Sequence, residues 1–255
     1  SLRSYRTKFT EEFGELVLCY DNKTNWRRDV FPNYKHSRRK DRKSSKLDWN
    51  AIFDTLHLIR DELTEYFPYK VLEVENAEAD DIIASVVFHV ASEPKNYEKV
   101  LILSSDKDFI QLQKYNFVSQ YSPMQKKFVE HKNPRLYALE HVLKGDSGDG
   151  VPNVLSEDNV FVEGIRQTPV TQKKIDAIIQ DLDDGELLYA ASWYRNYQRN
   201  DTLINLANTP QELKTEIINT FDGQDPWHKQ GKMFPYFVQK RCKMLIECIE
   251  DFKNG

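Results

Sequence analysis

Short apolar runs alternate with amphipathic stretches along the first part of the chain. Residues 16–20 and 100–104 are apolar runs bounded by charged residues, and residues 71–74 form a weaker run. Runs of this kind are typical of strands that are buried on both faces. Between them, apolar residues recur every three or four positions at 52–63 and 82–90, which is the helical spacing. This order predicts an α/β fold with a parallel sheet and right-handed crossovers.

The pattern changes after residue 150, where helical periods dominate. Helices are predicted at 171–182, 186–197 and 210–221, and a packed terminal helix is predicted at 236–252. Before that point, residues 117–121 and 127–131 predict a further strand and a hairpin arm. We therefore predict two domains, an α/β core at 1–150 and a helical region at 151–255.

Composition narrows the class of protein. Hydrophobic residues make up 40% and charged residues 30% of the chain, which excludes a disordered protein. The three cysteines, Cys19, Cys242 and Cys248, are scattered, which argues against a disulfide framework and a zinc site. No apolar run approaches the roughly 20 residues of a membrane span. We expect a soluble protein of a reducing, cytoplasmic compartment, with no membrane partner.

Positive charge is concentrated in one segment. Residues 23–46 carry ten Lys or Arg against two Asp, a net charge of +8 in a chain whose total is −4. Such a block favours a polyanionic partner, because neutralising phosphates releases counterions. The alternative interpretation is a charged helix that faces solvent.

Acidic residues follow the ends of the predicted strands. The carboxyl ends of parallel strands line one crevice, so these carboxylates should converge there and repel one another unless cations compensate them. A set without His or Cys suits Mg²⁺ or Mn²⁺ better than zinc. Its size predicts two ions about 4 Å apart, the arrangement used in phosphodiester hydrolysis. The acidic residues are Asp21, Glu78, Asp80, Asp81, Asp106 and Asp108.

Each acidic group also has a structural interpretation. Asp21 is a candidate turn or N-cap residue, and the group at 78–81 can offset a helix dipole. The Gly145–Pro152 stretch has the composition of a turn. If all of these roles were purely structural, four separate acidic groups would have to follow one another along the chain in this order by coincidence.

These segments together resemble a known family, the 5′ nucleases or flap endonucleases, and more narrowly the ribonuclease H branch of the T-even bacteriophages. The resemblance covers essentially the whole chain. Its motifs are Leu16-Val-Leu-Cys-Tyr-Asp-Asn22, Trp26-Arg27 with Pro32, Tyr34-Lys35 and Arg38, Glu78-Ala-Asp-Asp-Ile-Ile-Ala84, Ser105-Asp-Lys-Asp-Phe109 and Gly145-Asp-Ser-Gly-Asp-Gly-Val-Pro152.

The resemblance implies a nuclease core of the PIN-like type that removes RNA primers and 5′ flaps during lagging-strand replication. It implies two Mg²⁺ ions, for which Mn²⁺ can substitute. Asp21, Glu78, Asp80 and Asp106 match the first-metal group, and Asp108, Asp146 and Asp149 match the second, with Asp81 as an additional candidate. Asp106 and Asp108 also count among the catalytic candidates.

The basic segment, about residues 23–50, matches the family's helical arch. In the family, the single-stranded end of the substrate passes through or under this arch. Lys35 and Arg38 match catalytic residues at the arch base, where their charge would oppose growing negative charge. The rings of Trp26, Phe31 and Tyr34 can stack on bases, although we expect at least one to pack in the core. The nucleic-acid-binding candidates are Arg27, Arg28, Tyr34, Lys35, Arg38, Arg39, Lys40, Arg42, Lys43, Arg166, Lys173 and Lys174.

The implied substrates are branched DNA, RNA–DNA hybrid and 5′ flap DNA. The resemblance also implies a sliding clamp and a single-strand-binding protein as partners, a monomeric enzyme, and the cytoplasm of an infected bacterial host.

Two departures from the family pattern lead to further expectations. The family's first strand and its Asp normally precede a helix that resembles residues 2–13, so we expect a truncated chain with a weakened first metal site. Only Gly164 remains of a glycine-rich hairpin, so duplex contact should depend on Arg166, Lys173 and Lys174. Two other functions stay open: a catalytically impaired fragment that binds DNA structures, and a single-strand ribonuclease of the same fold.

Overall fold

A computed structural model describes residues 1–93, 98–185 and 191–253. The chain forms two compact units, each assembled from separate segments. Unit 1 comprises residues 1–23, 47–101 and 211–255, and unit 2 comprises residues 24–46 and 102–210. The division of the chain at residue 150 stays a prediction. No helix in the described ranges is long and apolar enough to cross a membrane.

The described residues contain α-helices, 3₁₀ helices and short strands. The α-helices are α1 (Leu2–Phe13), α2 (Arg27–Val30), α3 (His36–Ser44), α4 (Trp49–Tyr66), α5 (Ala79–Ser92), α6 (Pro134–Lys144), α7 (Val160–Glu163), α8 (Gln172–Asp184), α9 (Tyr194–Ile204), α10 (Gln211–Asp222), α11 (Met233–Gln239) and α12 (Lys243–Ile246). The strands are β1 (Val17–Cys19), β2 (Lys70–Leu72), β3 (Val100–Leu103), β4 (Val118–Ser122) and β5 (Lys127–Val129). The 3₁₀ helices are Lys107–Lys114, Leu206–Asn208, Trp227–Lys232 and Ile249–Phe252.

The predicted strands are all present, and their pairing refines the expected sheet. β1 and β2 pair in parallel with Leu18 opposite Val71, which confirms the parallel α/β prediction for this part of the chain. β3 is placed instead in a second sheet of order β3-β4-β5. β4 and β5 pair antiparallel, which confirms the predicted hairpin. The expectation of one sheet for all three runs was therefore wrong among the described strands.

The core of unit 1 is aromatic and lies at the end of α4. Leu63 and Phe67 pack with Tyr69, Phe237 and Phe252, and several of these rings meet edge to face, a favourable arrangement for aromatic pairs. Burial is confined to the last turn of α4. The predicted core stripe at 52–63 is therefore only partly correct, because Leu56 and Ile59 remain 47% and 43% exposed.

The predicted terminal helix at 236–252 is broken into three pieces. α11 ends at Gln239, and Arg241 adopts a left-handed backbone with φ of 57°. That conformation cannot continue an α-helix, since right-handed geometry needs negative φ. Val238, which the pattern placed on the packed face, is 52% exposed, whereas Phe237 and Phe252 are buried.

Helix predictions in the second half were correct where the apolar period was clear. α8 and α10 confirm the helices predicted at 171–182 and 210–221. The helix predicted at 186–197 was wrong in its bounds, because α9 begins at Tyr194. Residues 186–190 of that prediction lie outside the described residues.

In unit 2, buried polar side chains of α9 support the turn that follows α6. Nδ2 of Asn200, which is fully buried, donates to the carbonyl oxygens of Val142 and Pro152, both at 2.8 Å. Asn196 donates to the carbonyl oxygen of Val154 at 3.0 Å, and Arg199 to that of Pro152 at 3.0 Å. Buried carbonyls need such partners, so these bonds fix the path of the turn.

Asp158 holds the arginines of α9 in place. Its carboxylate pairs with Arg195 and with Arg199, whose side chain is only 7% exposed. We expect Asp158→Asn to lower the free energy of unfolding by about 2 kcal/mol, since removing one partner leaves a desolvated charge and the site is partly solvated. Urea unfolding at neutral pH measures this change, with the exposed Asp183→Asn on α8 as a matched control.

The same substitution should show a defined pH dependence. Burial raises the pKa of Asp158, but the bonds from Arg195 and Arg199 outweigh it, so that the pKa lies below the usual carboxyl range. A lowered folded-state pKa stabilises the fold above the unfolded value of about 3.9 and loses this effect as pH falls through the folded value. The stability difference from Asp158→Asn should therefore be full at pH 7 and shrink below about pH 4. A difference that stays constant down to pH 2 would contradict this role.

Candidate metal centre

Two aspartates emerge from the loop that follows β3. Asp106 caps the 3₁₀ helix Lys107–Lys114, and its Oδ1 accepts a hydrogen bond from the backbone N–H of Asp108 at 3.0 Å. The buried Gln120 of β4 holds this loop, because its Nε2 donates to the carbonyl oxygens of Ser104 at 3.0 Å and Asp106 at 2.6 Å. The loop thus presents Asp106 exposed and Asp108 partly buried.

We expect Gln120→Leu to lower the free energy of unfolding by about 2 kcal/mol, because two partly buried carbonyl groups lose their donor. Loosening of the loop should also weaken binding of a divalent ion near Asp108. Urea unfolding and Mn²⁺ titration measure the two effects, and Gln198→Leu on the exposed face of α9 is the matched control. Equal stability of the two variants would show that Gln120 does not support the loop.

A glycine-rich turn brings in two more aspartates. Gly145 has φ of 68°, and a Cβ there would lie 2.5 Å from the carbonyl carbon of Pro152, so only glycine fits. Asp146 and Val151 exchange backbone hydrogen bonds of 2.8 and 2.7 Å across the turn. Oδ1 of Asp146 accepts from the backbone N–H groups of Gly148 and Asp149 at 2.8 and 3.2 Å. These bonds orient the Asp146 carboxylate, as supporting contacts do for metal ligands.

A histidine completes this group. His141, in the last turn of α6, places Nε2 at 2.9 Å from Oδ1 of Asp108. One ligand atom from each of Asp108, His141 and Asp146 lies within 4.8 Å of the other two. Within the described ranges, this is the one group of three potential metal ligands whose atoms lie within that distance of one another. The sequence had predicted an all-oxygen set, so the structure adds a nitrogen that our reasoning missed. No pattern in the sequence set this histidine apart.

The local charges act strongly on the neighbouring side chains. Burial favours a neutral His141, but contact with Asp108 and the fields of Asp146 and Asp106 outweigh it and raise its pKa above the ordinary value. Burial and the same three carboxylates also raise the pKa of Tyr137. The centre is therefore a region of concentrated negative charge that favours a cation.

Asp149 forms a second group with the base of the basic segment. Its carboxylate accepts from the Tyr34 hydroxyl at 2.8 Å and from Nη2 of Arg38 at 2.5 Å, and Nζ of Lys35 lies 3.4 Å away. The backbone N–H of Lys35 also donates to the carbonyl oxygen of Asp149 at 2.7 Å. Burial, which is opposed by Lys35 and Arg38, raises the pKa of Asp149. Asp149 is therefore paired with cations, and its role as a metal ligand stays a prediction.

The acids of unit 1 gather at the start of α5. Oδ1 of Asp21 accepts from the backbone N–H of Ala79 at 2.8 Å, and Asp80 is partly buried one residue further on. Asp81 is fully buried, and its Oδ2 accepts from the backbone N–H of Glu78 at 3.0 Å in a capping box. The Asp81 carboxylate therefore caps the helix, and its role as an additional metal ligand stays a prediction. The metal roles of Asp21, Glu78 and Asp80 stay predictions.

The basic and aromatic candidates divide by burial. Arg27 is 2% exposed and its Nε donates to the carbonyl oxygen of Leu203, so its predicted contact with nucleic acid was wrong. Trp26, Phe31 and Tyr34 are all buried, so their predicted stacking on bases was also wrong for this conformation. Arg28 is partly buried and Lys35 is 13% exposed as a side chain. The exposed candidates are Arg38, Arg42, Arg166, Lys173 and Lys174. The side chains of Arg39, Lys40 and Lys43 are not among those that the structure describes.

Potential oxygen and nitrogen ligands of a divalent ion therefore lie next to the turn whose Asp149 pairs with Lys35 and Arg38. The residues fit a metal ion, since backbone N–H groups orient the Asp146 carboxylate and the negative charges of Asp108 and Asp146 act to raise the pKa of His141 and of Tyr137. An α/β fold that carries such a centre beside a basic helix defines a class of metal-dependent phosphodiester hydrolases.

The chain belongs to the 5′-3′ exonuclease family. The family's N-terminal resolvase-like domain matches residues 3–141, and the C-terminal domain of T4 RNase H matches residues 133–252. Ribonuclease H of Enterobacteria phage T4 is 35% identical over 247 residues, which cover 94% of this chain and 80% of that protein. A 5′-3′ exonuclease of Buchnera aphidicola is 31% identical over 149 residues, 55% of this chain and 48% of that protein.

Solved structures agree on the fold. The bacteriophage T5 5′-exonuclease with bound zinc has a TM-score of 0.61 at 17% identity, covering 87% of this chain and 88% of that one. A T5 flap endonuclease in a pseudo-enzyme-product complex with DNA and metal ions has a TM-score of 0.56 at 16% identity, covering 86% and 87%. The family assignment makes this chain a nuclease of a metal-dependent family, as the sequence predicted.

Proposed function

We propose that this chain is a 5′-to-3′ exonuclease and flap endonuclease that removes RNA primers and 5′ flaps from DNA during lagging-strand replication. One observation carries the proposal. The turn that orients Asp146 toward Asp108 also places Asp149 against Lys35 and Arg38 of the basic segment. Phosphodiester hydrolysis needs both a cation-binding centre and fixed positive charge at the scissile phosphate.

The roles of the residues follow from their positions. Divalent ions, when bound, supply positive charge to the phosphodiester oxygens and lower the pKa of water. Asp108 and Asp146 hold an ion, and the backbone bonds to Asp146 keep its carboxylate in one orientation. Lys35 and Arg38 stabilise negative charge that develops on the phosphate. Their present contacts with Asp149 hold them beside the centre before substrate arrives.

Two ions, Mg²⁺ under physiological conditions with Mn²⁺ able to substitute, are part of the proposal. Asp21, Glu78, Asp80 and Asp106 would hold one, and Asp108, Asp146 and Asp149 the other. The position of Asp21 against the N-terminus of α5 supports the first set, because it brings separate parts of the sequence together. The ion pairs of Asp149 would have to exchange for a metal contact.

Substrate binding is assigned to exposed cations of unit 2. Arg38 and Arg42 lie on α3, and Arg166, Lys173 and Lys174 lie near the start of α8. Binding through phosphates should weaken steeply with salt. Branched DNA, 5′ flap DNA and RNA–DNA hybrid are the proposed substrates. A sliding clamp and a single-strand-binding protein are proposed partners of a monomeric enzyme in the host cytoplasm.

A comparison of substrates tests this function. The chain is incubated in Mg²⁺ with a 5′-labelled DNA flap, an RNA–DNA hybrid and a single-stranded RNA of equal length, each beside an EDTA control. Metal-dependent release of short 5′ products from the flap and the hybrid supports the proposal. Salt-sensitive binding without cleavage would support an impaired DNA-binding fragment, and equal cleavage of free RNA would support a single-strand ribonuclease.

A further inference from the structure

We propose that His141 is a nitrogen ligand of the divalent ion held by Asp108 and Asp146, and that it raises the affinity of this position for first-row transition ions relative to Mg²⁺. The inference rests on the proposed function, because it concerns the same centre. It adds a nitrogen ligand to the oxygen ligands of the acidic motifs, and it adds a preference among metal ions that those motifs do not predict.

The distances match those between ligands of one ion. Neighbouring ligands of an octahedral ion with bonds of about 2.1 Å lie roughly 3 Å apart. Nε2 of His141 lies 2.9 Å from Oδ1 of Asp108. The Asp146 oxygen lies within 4.8 Å of both, a span that ligands on opposite sides of an ion also fit. An ion can therefore contact all three atoms with small side-chain shifts.

The imidazole is held in place without an aligned hydrogen bond. Nε2 is buried and finds no hydrogen-bond partner of adequate geometry among the described residues, although it lies beside the Asp108 carboxylate. The His141 ring stacks on Tyr137 with centroids 6.2 Å apart. The next two residues on α6, Val142 and Leu143, are fully buried and anchor the helix end. A fixed nitrogen that faces two carboxylates is arranged as a ligand.

The chemistry of the nitrogen sets the preference for a metal. Mg²⁺ favours oxygen ligands, whereas first-row transition ions also accept an imidazole nitrogen. Among these ions, Mn²⁺ binds imidazole less tightly than Co²⁺ or Zn²⁺ does. A nitrogen ligand therefore favours any of these ions relative to Mg²⁺. A proton on Nε2 would leave to solvent when the ion binds.

Pulsed electron paramagnetic resonance of bound Mn²⁺ tests this directly. The full chain is saturated with Mn²⁺ without DNA, and ¹⁴N coupling to the ion is recorded. We expect a histidine nitrogen coupling that is lost in His141→Asn and kept in His131→Asn, an exposed histidine whose ring lies 4.9 Å from that of Tyr137. Competition should show the ratio of Mn²⁺ to Mg²⁺ affinity falling about tenfold in His141→Asn. Circular dichroism checks that both variants fold.

The outcomes separate the ligand from the function. Absence of nitrogen coupling at saturating Mn²⁺, or coupling that persists in His141→Asn, would overturn the role of His141. Flap cleavage without nitrogen coupling would leave the proposed function standing and remove this inference. Nitrogen coupling without cleavage of any substrate would keep the ligand and remove the function.

Discussion

Asp108→Asn should lower the single-turnover rate of flap cleavage in Mg²⁺ by about a thousandfold, because the centre loses an anionic ligand. The Asp108 carboxylate contacts His141 and faces Asp146, so it links the other two members of the group. The free energy of unfolding should stay within about 1 kcal/mol, since relief of repulsion between carboxylates offsets the lost contact. Quench-flow kinetics and urea unfolding measure the two quantities.

Asp183→Asn on the exposed face of α8 is the control for this change of charge. It removes the same charge far along the chain from the acidic loop, and we expect a wild-type rate. If Asp108→Asn cleaved at the wild-type rate with the same Mg²⁺ dependence, the centre described here would not be the site of chemistry.

Lys35→Ala should lower the rate at saturating substrate about a hundredfold, because fixed positive charge would be lost where negative charge grows. The side chain of Lys35 is 13% exposed and lies 3.4 Å from Asp149, so it is held near the centre and is not a freely moving surface lysine. Its loss should affect kcat more than KM, since few contacts to the rest of the substrate disappear. Single-turnover rates over a range of enzyme concentrations separate the two.

Lys127→Ala, on the exposed hairpin strand β5, is the matched lysine control. It removes one charge without touching the arch base and should leave kcat unchanged. A Lys35→Ala enzyme that reached the wild-type kcat with a raised KM would show that Lys35 only binds substrate.

The sequence indicated correctly those features that depend on local patterns. The apolar runs that become β1 and β2 are short and sharply bounded, and their parallel pairing follows from the helical stretch between them. The turn with Asp146 was visible because positive φ at Gly145 and Gly150 demands glycine. The positions of Asp106 and Asp108 after a buried strand were likewise read from order alone.

Features that depend on tertiary packing could not be predicted. His141 joins Asp108 only because α6 packs against the 3₁₀ helix that begins with the acidic loop, which no spacing in the chain reveals. The rings of Trp26, Phe31 and Tyr34 suit a stacking surface as well as a core, and all three are buried, with Phe31 and Tyr34 in a cluster that includes Leu203. The break at Arg241 has no glycine or proline to signal it.

The rate of flap cleavage as a function of free Mg²⁺ tests the central claim most directly. A 5′-labelled flap is mixed with excess chain, Mg²⁺ is varied, and EDTA is added to parallel reactions. The account predicts that no short 5′ product forms in EDTA, that the rate rises with Mg²⁺ to a plateau, and that Asp108→Asn stays near the EDTA level. Cleavage that persists in EDTA, or a complete lack of cleavage at every Mg²⁺ concentration despite flap binding, would contradict it.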